Sequence, residues 1–372
     1  MNKRFIPVAA PVLAGKEEAY VLDCMRSGWI SSAGKYVFEF ERSFADFCGA
    51  RHAISCNSGT AALHVALLSL GVGPGDEVII PTLTFVATAN AVTYCGARPR
   101  FVDIDPETWT IDPAQIEAKI NPRTKVILPV HLYGQVANME AITEIACKHN
   151  LFVIEDAAEA HGAKFRGRRV GSLNDVAAFS FYGNKIVACG EGGMVVTNSD
   201  EVARCATQLR GQGVDSSQRY WFPVIGYNYR MPNLTAAIGL AQLESIDWHL
   251  TRRRQVVGWY KDLLNEVPGI SWQTTGENCE AVDWMFTIVM DERIQMERDE
   301  VMGRLAKRGI ETRPVFYPMH ILPPYQAMAA DDGDFPVAER IARSGISLPT
   351  WSGLQLEEVE YVCSALRACI SD

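Results

Sequence analysis

Between residues 52 and 197 short apolar runs alternate with segments of helical periodicity, at intervals of roughly 25 residues. His52-Ala-Ile-Ser-Cys56, Glu77-Val-Ile-Ile-Pro81, Arg100-Phe-Val-Asp-Ile-Asp105, Lys125 to Val130, Leu151 to Asp156, Val176 to Phe181 and Met194 to Thr197 read as strands. The helical patterns between them include the stretch after Asn57-Ser58, then Phe85 to Tyr94, 113–120 and 139–149. A chain with this rhythm buries both faces of its strands most readily as a mostly parallel sheet covered by helices on both sides. Ligands of such sheets bind outside the carboxyl ends of the strands. Asn57 to Thr60, Thr82 to Phe85, His131, Asp156 and Lys185 all lie at or just past such ends.

Two of those positions carry chemistry. The run Val176 to Phe181 stops at Gly183-Asn184, a turn signal, and a single lysine, Lys185, follows before the glycine-rich Gly190-Glu-Gly-Gly193. Lysine is rarely buried without a partner, so one placed between two buried strands is either a rim residue or a working amine. The run Leu151-Phe-Val-Ile-Glu-Asp156-Ala-Ala-Glu159 is a second buried strand that ends in carboxylates. A strand-end amine and a strand-end acid are the two fixed groups a pyridoxal phosphate enzyme needs, one for the Schiff base and one for the pyridinium nitrogen. The turn Asn57-Ser58-Gly59-Thr60 opens a helix, and the free N–H groups of a helix N-terminus bind phosphate readily. It is neither a Walker loop nor GxGxxG, and as a bare motif it reads first as an N-cap. His64, one turn into that helix, reads as a packed residue.

The remaining chain frames this centre. Residues 17–28 read as a helix ending at Gly28, and Lys35 to Cys48 as a second helix with Val37, Phe40, Phe44 and Phe47 on one face. A helix over 201–212 leads into a polar and aromatic loop containing Arg219-Tyr220-Trp-Phe-Pro223 and then Asn228-Tyr-Arg230. One long helix is expected over 234–264, with Arg252-Arg253-Arg254 as a solvated face. Beyond it come a strand from Trp284 to Met290, a helix over 297–308, a strand from Ile310 to Val315, a proline-fixed loop holding Tyr317 and His320, and a last helix at about 355–370. The chain of 372 residues therefore divides into a large α/β domain, 1–250, and a smaller C-terminal α+β domain, 251–372.

Composition excludes several classes. A net charge of -9 leaves no basic footprint for nucleic acid. No apolar run reaches the roughly 20 residues that span a membrane, and no apolar stretch of a secretion signal follows the N-terminus. The ten cysteines show no CxxC pair and no Cys/His ligand spacing, which argues against a metal site or disulfide framework and for small buried hydrophobes in a reducing cytoplasm.

Taken together, Trp29-Ile-Ser-Ser-x-Gly34, Ser58-Gly-Thr-Ala-Ala-Leu-His64, Gly75-Asp-Glu-Val-Ile-x-Pro81, Glu155-Asp-Ala-Ala-Glu159, Phe179-Ser-Phe-Tyr-Gly-Asn-Lys185, Gly190-Glu-Gly-Gly193 and Asn228-Tyr-Arg230-Met resemble the DegT/DnrJ/EryC1/StrS sugar aminotransferases over nearly the whole chain. That family has the aspartate aminotransferase fold, fold type I of the pyridoxal phosphate enzymes. Within it, Glu159, the Arg219-Tyr-Trp-Phe-Pro loop and Arg313-Pro-Val-Phe-Tyr-Pro-Met-His320 are most similar to the members that transfer an amino group from L-glutamate to C4 of GDP-4-keto-6-deoxy-D-mannose.

The resemblance implies a set of roles. Lys185 would make the Schiff base and, once displaced, shuttle the proton, while Asp156 would keep the ring nitrogen protonated. Gly59, Thr60 and Ser180 would hold the cofactor phosphate, and Phe85 would stack on the ring. Asn228 would reach the phosphate of a neighbouring subunit's cofactor, so the site would span the interface of a homodimer or of a tetramer built from dimers. Glu159 stands where many relatives have Gln beside the cofactor's phenolic oxygen, so either it or that oxygen must carry a proton. Arg219 and Tyr220 would receive the nucleotide diphosphate, and His320 the hexose. Glutamate would leave as 2-oxoglutarate before the keto sugar arrives, with the cofactor alternating between its pyridoxal and pyridoxamine forms. Rival readings are a C3 or C4 aminotransferase of a UDP- or dTDP-linked sugar, a sugar dehydratase, and a non-catalytic sensor. The dehydratases have His in place of the lysine, and an intact Lys185–Asp156 pair argues against a sensor.

Overall fold

The computed structural model describes residues 5–215 and 217–370. Helices α1 (Glu17–Ser27) and α2 (Lys35–Cys48) precede the sheet, and each stops where a glycine, Gly28 or Gly49, turns the backbone left-handed. Strands and helices then alternate: β1 (His52–Cys56), α3 (Gly59–Ser69), β2 (Glu77–Pro81), α4 (Ala87–Tyr94), β3 (Arg98–Val102), α5 (Pro113–Ile116), β4 (Thr124–Ile127), α6 (Met139–His149) and β5 (Phe152–Asp156). A short hairpin, β6 (Lys164–Phe165) and β7 (Arg168–Arg169), leads to β8 (Val176–Ser180), β9 (Gly193–Thr197) and α7 (Asp200–Arg210). Next come α8 (Asn233–Glu244), α9 (Ile246–Leu264), β10 (Ile270–Trp272), β11 (Cys279–Glu280), β12 (Phe286–Met290) and α10 (Arg298–Lys307). The chain closes with β13 (Arg313–Pro314), α11 (Gln326–Ala329), α12 (Pro336–Ser344), β14 (Gly345–Leu348) and α13 (Leu356–Ile370).

Seven strands form one sheet in the order β1-β9-β8-β5-β4-β2-β3. β8, β5, β4, β2 and β3 run parallel, and β9 runs antiparallel to both of its neighbours. The expected mostly parallel sheet is therefore present. Its strands read as unbroken apolar runs because helices cover both faces; every residue of β2 and of β9 is buried. A second sheet, β10-β12-β14-β13, is antiparallel and packs with α9, α10 and α13 around a separate core that includes Tyr260, Phe286, Leu305 and Leu366. Ile6, near the other end of the chain, joins that core and pairs with Ile310. No helix among the described residues is long and apolar enough to cross a membrane.

Several expectations need correcting. The helix expected over 234–264 is two helices that meet at Ser245, whose backbone (φ −104, ψ 8) leaves the helical range. Ser245 is pressed by the N-terminal segment there: a Cβ on Gly15 would sit 3.1 Å from its Oγ. The strand expected at 100–105 ends at Val102 because the next carboxylates serve turns. Asp103 accepts the amides of Val337 and Ala338, and Asp105 those of Glu107 and Thr108. Helix α12 and strand β14 went unforeseen, since β14 begins directly after the helix, at Gly345; a Cβ there would run into Val315.

Of the three arginines expected to form a solvated face, Arg254 is exposed, Arg252 half-buried and Arg253 buried. Arg253 is buried, and its Nη1 donates to the carbonyls of Trp284 (2.8 Å) and Thr350 (3.2 Å). Arg252 reaches the carbonyls of Ser352 and Leu354. The helical period puts Arg253 on the side that also buries Leu250, Val257 and Tyr260. Burial pulls its guanidinium down to about 10, and it remains charged at neutral pH. Replacing Arg253 by Met should leave both carbonyls unpaired and destabilise the fold by about 1–3 kcal/mol, measured by urea unfolding.

Candidate active site

The pleat of the sheet decides which side chains meet. Asp156 pairs in register with Ala178 on β8, and Ala178 shares a face with Ser180, so Asp156 and Ser180 look to the same side. Phe179 belongs to the other face. It packs edge-on against Phe44 at 4.9 Å, where Phe181 joins it at 5.2 Å, and both rings enclose His161 at 5.4 and 5.6 Å. Helix α3 begins on the side of Asp156 and Ser180. A Cβ at Gly59 would lie 2.6 Å from the Cβ of Ser180, and one at Gly193 would run into the carbonyl of Ser58, so only glycines allow this approach. Ser58 caps the helix by accepting the amide of Ala61 at 3.1 Å. The amides of Gly59 and Thr60 head the helix without an intrahelical partner, beside Ser180.

Lys185 follows the β8 turn, its amide held by the carbonyl of Tyr182 at 2.8 Å. Its side chain is 11% exposed, and Nζ lies 3.3 Å from Oε1 of Glu159. The other carboxylate oxygen of Glu159 accepts the amide of Tyr133 at 2.8 Å. Tyr133 takes a left-handed backbone (φ 56), uncommon for a residue with a side chain and a mark of local strain. Nζ also stands 3.8 Å from the ring of Trp284, whose Nε1–H donates to the carbonyl of Asn184 at 2.8 Å.

Asp156 is tied from several directions. Its Oδ2 accepts the hydroxyl of Thr88 at 2.7 Å, and its Oδ1 the amide of Ala158 at 3.2 Å. Thr88 spends its only proton on the carboxylate, so Thr84, 2.9 Å away, donates to Thr88. Behind Asp156, the amide of His131 donates to the Asp156 carbonyl at 3.0 Å. The His131 ring is locked between Glu155 (Nε2 to Oε2, 3.3 Å) and the amide of Ala137, which donates to Nδ1.

Burial raises the carboxyl of Asp156 above its ordinary range, opposed by the Thr88 hydrogen bond and the charge of Lys185. It raises Glu159 likewise, opposed chiefly by Lys185. It lowers Lys185, opposed by Glu159 and Asp156. Burial thus opposes the charge of each group, and each opposite charge partly supports it. This donor set fits pyridoxal phosphate: helix amides and a hydroxyl for phosphate, an acid for a ring nitrogen, an amine for a carbonyl carbon. Phe85, 54% exposed, stands at the open edge, 5.6 Å from Phe316.

The other expected residues are spread more widely. Asn228 lies at the rim of the α3 N-terminus, its carbonyl accepting from Asn57 Nδ2 at 3.4 Å and its Oδ1 from Arg230 at 2.9 Å. Arg219 and Tyr220 sit on an exposed lobe, bonded to each other at 3.1 Å, and no contact among the described residues joins them to Lys185 or Asp156. His320 does not present a free ring to a hexose. Its Nδ1 lies 2.7 Å from Thr82 Oγ1, its Nε2 3.2 Å from Glu339, and its ring stacks on Phe335 at 4.4 Å. His64 is buried against Tyr94 and Tyr227, and burial lowers its ring. Trp284, Tyr133 and Thr88 were not singled out from the residue order; Trp284 read there as the first residue of a strand, which begins instead at Phe286.

The sequence model of the DegT/DnrJ/EryC1/StrS aminotransferase family matches residues 11–367. The chain is 54% identical to the GDP-perosamine synthase of Caulobacter vibrioides over 97% of each chain. It is 46% identical to the GDP-perosamine synthase of Escherichia coli O157:H7 over 99% of this chain and all of that one. Among solved structures, DesV of S. venezuelae in complex with a ketimine intermediate superposes with a TM-score of 0.90 and 38% identity, covering 96% of this chain and 95% of that one.

His161, enclosed by aromatic rings behind the site, is held down to about 3 by burial. Between that value and the ordinary histidine range the unfolded chain binds a proton that the folded chain refuses, so stability falls as pH drops below about 6.5. Chemical denaturation between pH 7 and pH 4 should show this loss. In His161→Gln the slope should be shallower by up to about 1.4 kcal/mol per pH unit.

Proposed function

The chain belongs to the DegT/DnrJ/EryC1/StrS aminotransferase family, and on that premise we propose that it moves the amino group of L-glutamate to C4 of GDP-4-keto-6-deoxy-D-mannose, giving GDP-perosamine and 2-oxoglutarate. The observation that carries this reading is full-length identity of 41–54% to three GDP-perosamine synthases, on a chain whose buried Lys185 faces Glu159 near Asp156. Pyridoxal 5'-phosphate is the cofactor of the family, and bound here it would supply an electron sink for the charge that develops when a C–H bond beside nitrogen is broken.

The protein groups divide the remaining work. Asp156, whose carboxylate Thr88, the Ala158 amide and Lys185 support against burial, would be the acceptor for a ring N–H. Gly59, Thr60 and Ser180 offer two helix amides and a hydroxyl to the phosphate. Lys185 Nζ would take a proton from the α-carbon of glutamate in the first half-reaction and deliver one to C4 of the sugar in the second, which a buried amine of lowered basicity suits. Glu159 accepts a hydrogen bond from that amine and can hold a proton at the oxygen nearest it. Phe85, exposed beside Phe316, would cover the ring of the cofactor. Glutamate reacts first and departs, and the keto sugar then takes the same place.

A homodimer completes this reading. Tyr220, Trp221, Phe222 and Ile225, in the segment just before Asn228, and Trp29 and Tyr182 are large apolar side chains left at least half exposed, the kind of surface that marks an interaction site. We assign that surface to a second copy, whose Asn228 would reach this site's phosphate and whose Arg219 and Tyr220 would meet the diphosphate. His320 we leave as a brace between the Thr82 loop and Glu339. No disulfide joins any of the ten cysteines, which suits a reducing compartment, and we place the enzyme in the cytoplasm.

A half-reaction tests the assignment. L-Glutamate should bleach the pyridoxal absorption of the purified holoenzyme; after its removal, GDP-4-keto-6-deoxymannose should restore the band rapidly, and product NMR should place nitrogen at C4. Recovery with UDP- or dTDP-linked keto sugars alone would keep the aminotransferase and discard the GDP-mannose substrate. Arg219→Ala should raise KM for the sugar nucleotide about tenfold or more through one lost charge-assisted phosphate contact, with KM for glutamate unmoved.

A further inference from the structure

Trp284 closes a ring of contacts around Lys185. Its indole face lies 3.8 Å from Nζ, its Nε1–H donates to the carbonyl of Asn184 at 2.8 Å, and Asn184 is the residue before the lysine. Its backbone amide donates to the carbonyl of Tyr133 at 2.9 Å, and the Tyr133 amide in turn donates to Glu159. Its own carbonyl accepts from the buried guanidinium of Arg253. The Trp284 and Tyr133 rings also stack, 6.1 Å apart at 22°. Every polar group of Trp284 is thus engaged, and the one unshared feature is the π-face turned to the amine. An ammonium over an indole face is attracted by the ring quadrupole, more strongly where water is excluded. Lys185 therefore has two supports of different kind: a carboxylate, Glu159, and a ring that bears no formal charge and cannot take a proton.

We propose that Trp284 is the positioning residue of Lys185: its ring receives the amine whenever Lys185 is not covalently engaged, and its N–H pins the Asn184 carbonyl so that the amine returns to one place between the ring and Glu159. The proposal rests on the reading of Lys185 as the working amine. It has a chemical consequence. A lysine that must both take up and release a proton is poised by what stabilises its charged form. Burial works against that form, and Glu159, Asp156 and the Trp284 ring work for it; the charge of Arg313 works against it, and the charge of Lys185 in turn bears on the buried His161. Unlike a second carboxylate, an aromatic face supports the ammonium without competing for the proton.

The test uses holoenzyme treated with L-glutamate and freed of excess donor, in which Lys185 is a free amine. Reductive methylation is followed across pH by mass spectrometry of the Lys185 peptide, and the midpoint of reactivity is read rather than its absolute rate, which access alone could change. Trp284→Leu should lower the midpoint by about one pH unit, as loss of a desolvated cation–π contact implies, and Trp284→Phe should recover part of the shift. Should Trp284→Leu fail to fold, the wild-type sequence grown with mono-, di- and trifluorotryptophan keeps the shape and weakens the ring quadrupole stepwise; the midpoint should fall in the same order. Midpoints equal in all forms would overturn the role given to Trp284. Borohydride reduction of the holoenzyme separately locates the attached cofactor: attachment away from Lys185 would overturn the reading on which the proposal rests, whereas attachment at Lys185 with unmoved midpoints would overturn the Trp284 role alone.

Discussion

An amine taken out of water must be given back some of the stabilisation that hydration supplied, and the neighbourhood of Lys185 is arranged around that need. Two carboxylates and an aromatic face surround it, and each carboxylate is itself held by a backbone amide: Glu159 by Tyr133, Asp156 by Ala158. Removing any one charge would leave the others worse placed, since each is buried and each relies on its opposite. Tyr133 is held in a left-handed backbone at the point where its amide meets Glu159, the kind of local strain a protein retains where geometry matters for function.

The sheet supplies the frame that makes such placement possible. Pairing of Asp156 with Ala178 sets Asp156 and Ser180 on one face, and glycines at 59 and 193 let the N-terminus of α3 approach them closely. On the opposite face Phe179, Phe181, Phe44 and His161 pack without polar function. Glu155, one residue from Asp156, points away from it and accepts the amides of Gly171, Leu173 and Asn174. Adjacent carboxylates thus serve different ends because successive strand residues face opposite ways.

Contacts from distant parts of the chain finish the site. Trp284 and Phe316 enter from the C-terminal third, and Arg253 on α9 reaches the Trp284 carbonyl. His320 fastens the same third to Thr82 at the end of β2. The lobe at Arg219 and Tyr220 is instead exposed, and no contact among the described residues joins it to Lys185 or Asp156.

Much of this architecture was legible in the order of residues. The alternation of apolar runs and helical periods implied the parallel sheet, because a strand covered on both faces leaves no other pattern, and strand-end positions marked Asp156 and Lys185. Glycine signals marked the end of α1 and the tight turn at Gly59 for the same local reason: backbone conformation and close approach are properties of single residues and near neighbours. What tertiary structure decided were the contacts that join residues far apart in the chain. Nothing in the residues around 284 announces a ring over Lys185, nor in Thr88 a bond to Asp156, since each pairing depends on how separate elements cross. The Arg252–Arg254 run shows the limit from the other side: charge suggested solvent, and packing against the segment from Thr350 to Leu354 buried its middle member. Periodicity reports which face is apolar, but only the assembled fold determines what that face meets.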